Sequence, residues 1–297
     1  MIVGVTGASG MLGSALLSHL SKSYRVFATS RGKGIEGKNI KWNCFDLTDS
    51  MLLSEWLETI KPDVVIHCAA IVNVDLCEDN ANLAKKLHMK TTEVMANYLD
   101  SNGGRLIYIS TDSVFDGEKQ GAYSESDLVN PLNVYAKTKI MGEKSVQSMN
   151  NGLVLRTNII GWTQESKTSF AQWVLDSLNV NAPLNLFYDV YFSPINVYDL
   201  SFIIEKIIEK PILGLYHCGS SDNISKYDFG KKMAKIFQLS DANINRVSID
   251  SIDFKASRPK NMALNSDKLS GNLQYDIPSA IDSIVLMKNQ YDIQLKN

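Results

Sequence analysis

A glycine-rich turn near the start of the chain joins a short apolar run to a helical pattern. The run at residues 2–5 leads into three glycines spaced three residues apart, Gly7, Gly10 and Gly13, and leucines then recur at helical spacing from Leu12 onward. Between a strand and a helix, glycines at this spacing allow a tight turn and let a pyrophosphate approach the helix N-terminus. A tight turn that binds no ligand is the alternative interpretation.

Short apolar runs alternate with helical patterns through the first half of the chain. Six of these runs read as strands, at residues 2–5, 25–29, 40–43, 64–68, 105–109 and 153–156. Residues 64–66 and 106–109 are apolar throughout, which is typical of strands that are buried on both faces of a parallel sheet. The sequence therefore predicts an α/β fold with a doubly wound parallel sheet of the Rossmann type.

The length of 297 residues allows about two domains of roughly 150 residues each. We expect residues 1–156, together with elements near 186–218, to form a dinucleotide-binding domain. Residues 157–297 would then form mainly a smaller, interleaved substrate lobe. In that lobe the spacing of apolar residues predicts helices near 168–178 and 226–238 and a strand near 215–218.

The charge balance argues against polyanionic partners. Lysine and arginine total 30 and aspartate and glutamate total 32, a net charge of −2, so we expect neither nucleic acid nor an anionic membrane as a partner. The four cysteines form no CxxC pair, so we expect no metal site and a reducing compartment. No signal-peptide pattern or membrane span is evident, and we expect a cytoplasmic location.

The end of the second predicted strand indicates which dinucleotide binds. Folds that prefer NAD usually carry an Asp or Glu there, which accepts a hydrogen bond from the ribose 2′-hydroxyl. Here the strand ends at Ser30 and Arg31, whose hydroxyl and guanidinium suit a 2′-phosphate, so we predict NADP(H) in preference to NAD(H). A plain surface role is the alternative for Arg31. Asp46, after the third strand, would either bind the adenine amino group or cap the next helix.

Two tyrosines precede a lysine by four residues, in the pairs Tyr135/Lys139 and Tyr227/Lys231. On a helix this spacing places both side chains on one face. Only the first pair has a hydroxyl residue, Thr111, at the carboxyl end of an upstream strand, where doubly wound sheets bind ligands. In ketone reduction the tyrosine would protonate the alkoxide, the lysine would lower the tyrosine pKa and bond the nicotinamide ribose, and Thr111 would orient the carbonyl. A core tyrosine beside a solvated lysine is the alternative.

Five sequence blocks carry a family resemblance: the glycine turn at 6–13, VDLCE at 74–78, STDSVFDG at 110–117, PLNVY at 131–135 with Lys139 and the Gly-Glu pair at 142–143, and RPKN at 258–261. In these blocks the chain resembles the extended short-chain dehydrogenase/reductase superfamily, and more closely its dTDP-4-dehydrorhamnose reductase family. The resemblance implies reduction of the 4-keto group of a nucleotide-linked 6-deoxyhexulose by NADPH or NADH. It assigns the catalytic roles to Thr111, Tyr135 and Lys139.

The candidate binding residues fall into two sets. For the cofactor we predict Gly7, Ser9, Gly10, Met11, Leu12, Gly13, Ser30, Arg31, Asp46, Leu47, Ala69, Ala70, Tyr135 and Lys139. For the substrate we predict Asp112, Val114, Phe115, Trp162 and Arg258, of which Arg258 resembles a residue placed near the substrate pyrophosphate.

The chain departs from the family pattern at three places. Many superfamily members carry Asn where this chain has His88, which would either help a proton-relay water or, as we expect, be an ordinary helix-surface histidine. Residues 156–159 read Arg-Thr-Asn-Ile where dTDP-sugar reductases often show Arg-Thr-Ser-Trp, although Trp162 follows. Residues 111–113 lack the Asp-Glu pair of the related 4,6-dehydratases, which argues against dehydration.

Two other functions remain open from the sequence. One is a nucleotide-sugar epimerase on the same scaffold, and the other is a redox-silent, NADP-binding regulatory subunit that resembles the β subunit of methionine adenosyltransferase. The intact residues Thr111, Tyr135 and Lys139 argue against a silent subunit. We therefore expect a nucleotide-sugar substrate, a role in making sugars for surface polysaccharides, and a homodimer as the assembly to test.

Overall fold

The computed structural model describes residues 1–163 and 169–296. Its strands are β1 (Ile2–Thr6), β2 (Arg25–Ser30), β3 (Ile40–Cys44), β4 (Val64–His67), β5 (Arg105–Thr111), β6 (Gly152–Ile160), β7 (Leu184–Phe187), β8 (Tyr191–Phe192), β9 (Pro194–Asn196), β10 (Gly214–His217), β11 (Ile224–Ser225), β12 (Ile244–Val247) and β13 (Asn261–Met262).

The helices are α1 (Met11–Leu20), α2 (Ser50–Ile60), α3 (Val74–Asp79), α4 (Ala81–Lys85), α5 (Thr91–Ser101), α6 (Val134–Gln147), α7 (Phe170–Asn179), α8 (Val197–Glu209), α9 (Lys226–Phe237), α10 (Asp267–Leu273) and α11 (Ala280–Lys296). A π-helical turn at Lys86–Lys90 joins α4 to α5, and short 3₁₀ turns lie at Asp112–Val114 and Ile249–Ser251.

A parallel sheet with the strand order β3-β2-β1-β4-β5-β6-β10 forms the centre of the molecule, and β9 pairs with the far end of β6. All six strands predicted from the sequence are present, and each pairs in parallel with its neighbours. The chain builds the sheet outward from β1 in one direction and then outward from β4 in the other. This reversal creates a crevice at the carboxyl ends of the central strands, so the predicted doubly wound fold is confirmed.

Helices cover both faces of the sheet, and each face has its own apolar core. Buried leucines of α1 and isoleucines of α8 pack against β1 on one face. On the other face, α2 and α5 pack against β4 and β5. Within the described residues, no helix combines the length and the apolar character that a membrane crossing requires.

The second half of the chain contributes to the sheet and also builds a second core. Residues 194–217 return to the sheet as β9, α8 and β10. Residues 186–187 instead belong to β7, which pairs with β12 outside the sheet. A separate core joins α7, α9 and α11. The predicted helices near 168–178 and 226–238 match α7 and α9, although residue 168 lies outside the described residues.

The helix α6 is fixed at its first turn by side chains from distant parts of the chain. Asn133 caps it by accepting a hydrogen bond from the Ala136 amide at 2.9 Å. The Asn133 amide group also donates to the Ser257 carbonyl at 3.0 Å, and the Glu78 carboxylate accepts from the Val134 amide at 2.8 Å. The orientation of this turn therefore depends on contacts with α3 and with the C-terminal part of the chain.

A buried ion pair fixes α6 further along its length. The guanidinium of Arg156 on β6 donates to both carboxylate oxygens of Glu143, at 3.0 and 2.7 Å, and both side chains are almost fully buried. The hydroxyl of Ser110 on β5 donates to the same carboxylate at 2.5 Å. Two-pronged geometry and a third hydrogen bond offset the desolvation of the two charges. The helix is thereby tied to two adjacent strands.

Three histidines, His67, His88 and His217, have no exposed surface. Burial lowers the pKa of each of them, to about 3 for His88 and His217, and nearby lysine or arginine charges add to the effect. In His217 the Nδ1 atom lies 3.0 Å from the Tyr123 carbonyl, to which only a protonated Nδ1 can donate. These histidines are therefore neutral in the folded protein near pH 7.

The buried ion pair leads to a stability prediction. We expect Glu143→Gln to lower the free energy of unfolding by about 3–5 kcal/mol, because Arg156 would remain buried without a counter-charge. The matched control is Glu93→Gln, which removes an exposed partner of Lys90 and should cost less than about 1 kcal/mol. Urea unfolding of both variants measures the difference, and equal losses would contradict the prediction.

The buried histidines lead to a prediction for acid stability. A histidine with a pKa of about 3 when folded and about 6.5 when unfolded gives stability that is complete above pH 6.5 and is lost as the pH falls. Between about pH 4 and 5.5, His217→Gln should therefore reduce the slope of unfolding free energy against pH by about 1.4 kcal/mol per pH unit.

The control for this experiment is Val154→Ala, which truncates a buried residue on the neighbouring strand β6. It should lower stability by an amount that does not change with pH, because it removes no titrating group. Denaturant unfolding at a series of pH values gives both slopes. An unchanged slope in His217→Gln would show that His217 is protonated in the folded state.

Candidate active site

The glycine turn leaves the N-terminus of α1 open to a ligand. Gly7 has φ +65°, and a Cβ atom there would lie 2.7 Å from the Ala69 backbone nitrogen. A Cβ on Gly13 would lie 2.3 Å from the Gly7 carbonyl oxygen. Gly10 occupies the N-cap and provides no side-chain cap for the helix amides. A cradle that excludes side chains and exposes helix amides fits a dinucleotide pyrophosphate.

The other predicted cofactor residues lie at the same edge of the sheet. Each follows the carboxyl end of one of the four strands β1 to β4, and those ends are side by side because the strands are parallel. They are Ser9, Met11 and Leu12 after β1, Ser30 and Arg31 at β2, Asp46 and Leu47 after β3, and Ala69 and Ala70 after β4.

The structure decides between the two interpretations of Asp46. The cap of α2 is Asp49, which accepts hydrogen bonds from the amides of Met51 and Leu52, so the capping interpretation of Asp46 is wrong. Asp46 accepts instead from the Thr48 amide at 2.8 Å, which holds the pKa of this carboxyl below its usual value. The charge of the exposed Arg31 lowers that pKa further.

The three predicted catalytic residues meet where β5 ends and α6 begins. Thr111 is the last residue of β5, and Tyr135 and Lys139 are one turn apart on α6. Burial raises the pKa of Tyr135 above its usual value of 10, whereas a hydrogen bond with Thr111 lowers it. The phenol therefore keeps its proton at neutral pH and lies against the Thr111 hydroxyl.

Lys139 does not act on Tyr135 in the way that the sequence suggested. Its ammonium donates to the Ile109 carbonyl at 2.6 Å and lies 4.0 Å from the centre of the Tyr108 ring. The neighbouring charges that shift the pKa of Tyr135 come from Asp112 and Cys77, both of which raise it. Burial lowers the pKa of Lys139 itself to about 7. The predicted lowering of the Tyr135 pKa by Lys139 is thus not what this structure shows.

The second tyrosine–lysine pair lies elsewhere. Tyr227 packs at the margin of the second core, and Lys231 forms a half-exposed ion pair with Asp241. The residue that precedes Tyr227 by 24 positions, as Thr111 precedes Tyr135, is Ile203, a buried residue of α8 that has no hydroxyl. The choice of the first pair therefore agrees with the placement of Thr111.

The expectation that His88 lies on a helix surface is wrong. The ring is fully buried in the π-helical turn, and its edge faces the Tyr135 ring at 5.7 Å. Its Nε2 atom accepts from the Ile71 amide at 2.9 Å, and its Nδ1 atom lies 2.8 Å from the Thr138 hydroxyl. An accepting Nε2 implies that Nδ1 carries the proton and donates to Thr138. His88 thus joins the loop after β4 to the catalytic helix.

The structure places the predicted substrate residues in different surroundings. Val114 and Phe115 have no exposed surface and pack with Tyr123 and Leu264 in a small core. Their prediction as substrate contacts is wrong for their side chains, because a buried apolar side chain has no surface to offer a ligand. Trp162 is partly buried, and its indole nitrogen donates to the Met287 carbonyl of α11 at 3.3 Å.

Asp112 is buried, whereas Arg258 is exposed. Asp112 follows Thr111 directly, and its carboxylate accepts from Asn158 at 2.5 Å. Burial raises the pKa of Asp112, and its hydrogen bonds lower it. Arg258 is exposed, pairs with Asp75 at 3.1 Å and lies over the Phe254 ring. Sequence reasoning missed Asn158 as a partner of Asp112, because Asn158 lies on β6, 46 residues further along the chain.

Comparison with known proteins agrees with this architecture. A family model described as the RmlD substrate binding domain matches residues 1–292. The chain is 27% identical over 288 residues to the probable low-salt glycan biosynthesis reductase Agl14 of Haloferax volcanii, and the aligned region covers 96% of each chain. It is 31% identical over 274 residues to methionine adenosyltransferase 2 subunit beta of Xenopus laevis, and the aligned region covers 89% of this chain and 80% of that protein.

A solved structure shows the same fold with a dinucleotide bound. The dTDP-4-dehydrorhamnose reductase of Bacillus anthracis in complex with NADP superposes with a TM-score of 0.84 at 25% identity, over 97% of this chain and 99% of that one. The family model spans nearly the whole chain, and the glycine cradle and the catalytic helix lie within it. The chain therefore belongs to the RmlD substrate-binding domain family, within the extended short-chain dehydrogenase/reductase superfamily.

Proposed function

We propose that this protein is an NADPH-dependent reductase of the 4-keto group of a nucleotide-activated 6-deoxyhexulose, similar to dTDP-4-dehydrorhamnose reductase, in the synthesis of sugars for surface polysaccharides. The observation that carries the proposal is the meeting of Thr111, Tyr135 and Lys139 at the carboxyl edge of the sheet, beside the glycine cradle. This edge is where doubly wound folds bind their ligands. The names of two relatives, a glycan biosynthesis reductase and a dTDP-4-dehydrorhamnose reductase, support it.

The residues of the site suit carbonyl reduction. A reduced nicotinamide, when bound, supplies the hydride. The amides at the start of α1 hold the pyrophosphate, and the Lys139 ammonium keeps N–H groups beyond its one bond to Ile109 for the ribose hydroxyls. The Thr111 hydroxyl, which donates to the Asp112 carboxylate at 3.1 Å in this structure, would turn to the carbonyl oxygen and orient it. Tyr135, protonated at neutral pH, gives its phenolic proton to the alkoxide oxygen as the C–H bond forms.

The preference for NADP(H) over NAD(H) rests on the end of β2. Arg31 is exposed there, and no carboxylate stands at that strand end to accept from a ribose 2′-hydroxyl. A guanidinium is well suited to a phosphate because its N–H groups match two oxygens at once. The NADP complex of the Bacillus anthracis relative supports the binding of NADP by this fold.

Two other functions use the same scaffold. An epimerase would oxidise and then reduce one carbon with retained cofactor. A regulatory subunit would bind NADP without turnover, which the similarity to methionine adenosyltransferase 2 subunit beta favours. The complete set of Thr111, Tyr135 and Lys139 supports an enzyme. The deciding assay mixes the protein with NADPH and a panel of dTDP-, GDP-, CDP- and UDP-linked 4-keto-6-deoxysugars, and follows the loss of reduced-nicotinamide absorbance.

Removing the phenolic proton should abolish most of the turnover. We expect Tyr135→Phe to lower kcat by at least about 100-fold while NADPH affinity stays nearly the same, because general acid catalysis contributes about 10² to 10⁴. Steady-state kinetics and NADPH titration measure the two effects. The control is Tyr227→Phe at the second tyrosine–lysine pair, which should retain full activity. Full turnover by Tyr135→Phe would exclude this tyrosine as the acid.

Reversing the charge at the end of β2 should reverse the coenzyme preference. Arg31→Glu would repel a 2′-phosphate and offer a carboxylate to a 2′-hydroxyl. We expect the ratio of NADH to NADPH affinity to rise by at least tenfold. The control is Lys33→Glu, an exposed charge change two residues away. If both variants leave the ratio unchanged, Arg31 is an ordinary surface residue.

A further inference from the structure

His88 lies in a π-helical turn that packs closely against the catalytic helix. A Cβ atom added to Gly142 of α6 would lie 2.3 Å from the His88 carbonyl oxygen, so the turn and the helix leave no room between them at this point. The same carbonyl accepts from the Tyr108 hydroxyl at 3.2 Å and from the Thr92 hydroxyl at 2.7 Å. π-helical turns are rare and occur frequently at functional sites. The backbone of His88 therefore has a fixed place beside α6.

The side chain of His88 belongs to a chain of hydrogen bonds that runs in one direction. The Ile71 amide donates to Nε2 at 2.9 Å, so Nδ1 carries the ring proton and donates it to the Thr138 hydroxyl oxygen at 2.8 Å. The hydroxyl of Thr138 in turn donates within the first turn of α6, where the Tyr135 carbonyl lies at 2.9 Å and the Val134 carbonyl at 2.8 Å. The chain thus runs from the loop after β4 to the backbone around Tyr135.

The His88 ring also packs directly against the Tyr135 side chain. The two ring centres are 5.7 Å apart and the ring planes are almost perpendicular, at 86°, which is the edge-to-face arrangement that aromatic pairs favour. Because His88 has no exposed surface, the contact excludes water on the histidine side. Tyr135 is therefore held at two points, at its ring by this contact and at its backbone through Thr138.

The other end of the chain of hydrogen bonds lies beside the glycine cradle. Ile71 follows Ala69 and Ala70, and the Ala69 backbone nitrogen is 2.7 Å from the place that a Cβ on Gly7 would take. In the proposed reaction, the coenzyme and the Tyr135 phenol must both reach one carbonyl group. Small errors in such a geometry lower the rate strongly. The rate should therefore depend on how firmly α6 is held against the loop after β4.

We propose that His88 is a positioning residue, which sets the place of the Tyr135 phenol relative to the loop after β4. It does so through its ring contact and through the hydrogen bonds that Ile71 and Thr138 complete. The inference rests on the proposed function and deepens it, since it names the residue that keeps the proton donor in place beside the coenzyme. His88 acts through Tyr135 and gives no proton itself. Its loss should therefore reduce turnover and leave the affinities for coenzyme and sugar nearly unchanged.

The turnover test changes the ring and its partner on α6. His88→Asn removes the ring and the acceptor that reaches Ile71, and Thr138→Val replaces the bridging hydroxyl with a methyl group of similar size. For each variant we expect kcat to fall about 10- to 100-fold, as misplacement of a reacting group does. The dissociation constant of NADPH and the KM of the sugar that the wild-type protein reduces should change less than about threefold. Steady-state kinetics and fluorescence titration of NADPH give these values.

Conservative variants and a matched control separate positioning from packing. His88→Gln places an amide oxygen where it can accept from Ile71, and Thr138→Ser keeps the hydroxyl, so both should recover part of the lost kcat. The control is Thr92→Val, which makes the same hydroxyl-to-methyl change in a buried residue that bonds the His88 carbonyl and not the ring. It should keep kcat within about threefold of the wild-type value. The double variant His88→Asn/Thr138→Val should lose no more kcat than His88→Asn alone, because both bonds belong to one chain.

Amide hydrogen exchange tests the same hydrogen bonds without turnover. In His88→Asn the Ile71 amide loses its acceptor, so we expect its exchange to accelerate at least about tenfold. In Thr92→Val the Ile71 amide should exchange at the wild-type rate, because the ring of His88 stays in place. NMR spectra of the coenzyme-free proteins in D₂O give the rates residue by residue.

Three outcomes would overturn the inference. They are an unchanged kcat in Thr138→Val, a loss of kcat in Thr92→Val as large as that in Thr138→Val, and wild-type exchange of the Ile71 amide in His88→Asn. The comparison of the two threonine variants still decides if His88→Asn does not fold. Accelerated Ile71 exchange in a protein that oxidises NADPH with no sugar of the panel would contradict the proposed function, whereas it would support the hydrogen bonds of His88.

Discussion

The buried ion pair between Glu143 and Arg156 is the constraint on which the site depends. Both charges lie between α6 and the sheet, where the low dielectric makes an unpaired charge costly. The pair is satisfied only in one register of the helix against β5 and β6, with the Ser110 hydroxyl as the third partner. Ser110 directly precedes Thr111, and Glu143 follows Lys139 by one helical turn. The hydrogen bonds of Glu143 to Ser110 and Arg156 therefore also set the spacing between Thr111 and the candidate catalytic residues of α6.

The site also depends on the second half of the chain. The Asn133 cap that orients Tyr135 bonds to the Ser257 carbonyl, and Arg258 is paired with Asp75 of α3. In the proposed function, the sheet and the turns at its edge would bind the cofactor, whereas segments packed across that edge would contact the sugar. A change in the C-terminal segments can therefore disturb the position of Tyr135, whereas the glycine cradle, which lies on β1 and α1, does not depend on those contacts.

Local patterns predicted the sheet well, because continuous apolar runs and a glycine turn report burial and backbone shape directly. They also selected Tyr135 over Tyr227. They failed where the answer depended on contacts between distant residues. Phe115 was predicted to touch substrate, yet it stacks on Tyr123 at 4.0 Å in a closed core.

His88 shows how one substitution changes the way in which the site is built. A side chain that serves a proton-relay water must leave a polar atom free for it, but both ring nitrogens of His88 are engaged, by the Ile71 amide and the Thr138 hydroxyl. Burial and the charge of Lys139 lower its pKa to about 3, so it does not take up a proton at neutral pH. Its contribution is therefore to hold α6 against the loop after β4. In the proposed reaction, a proton given up by Tyr135 would have to be replaced by a route that does not pass through this ring.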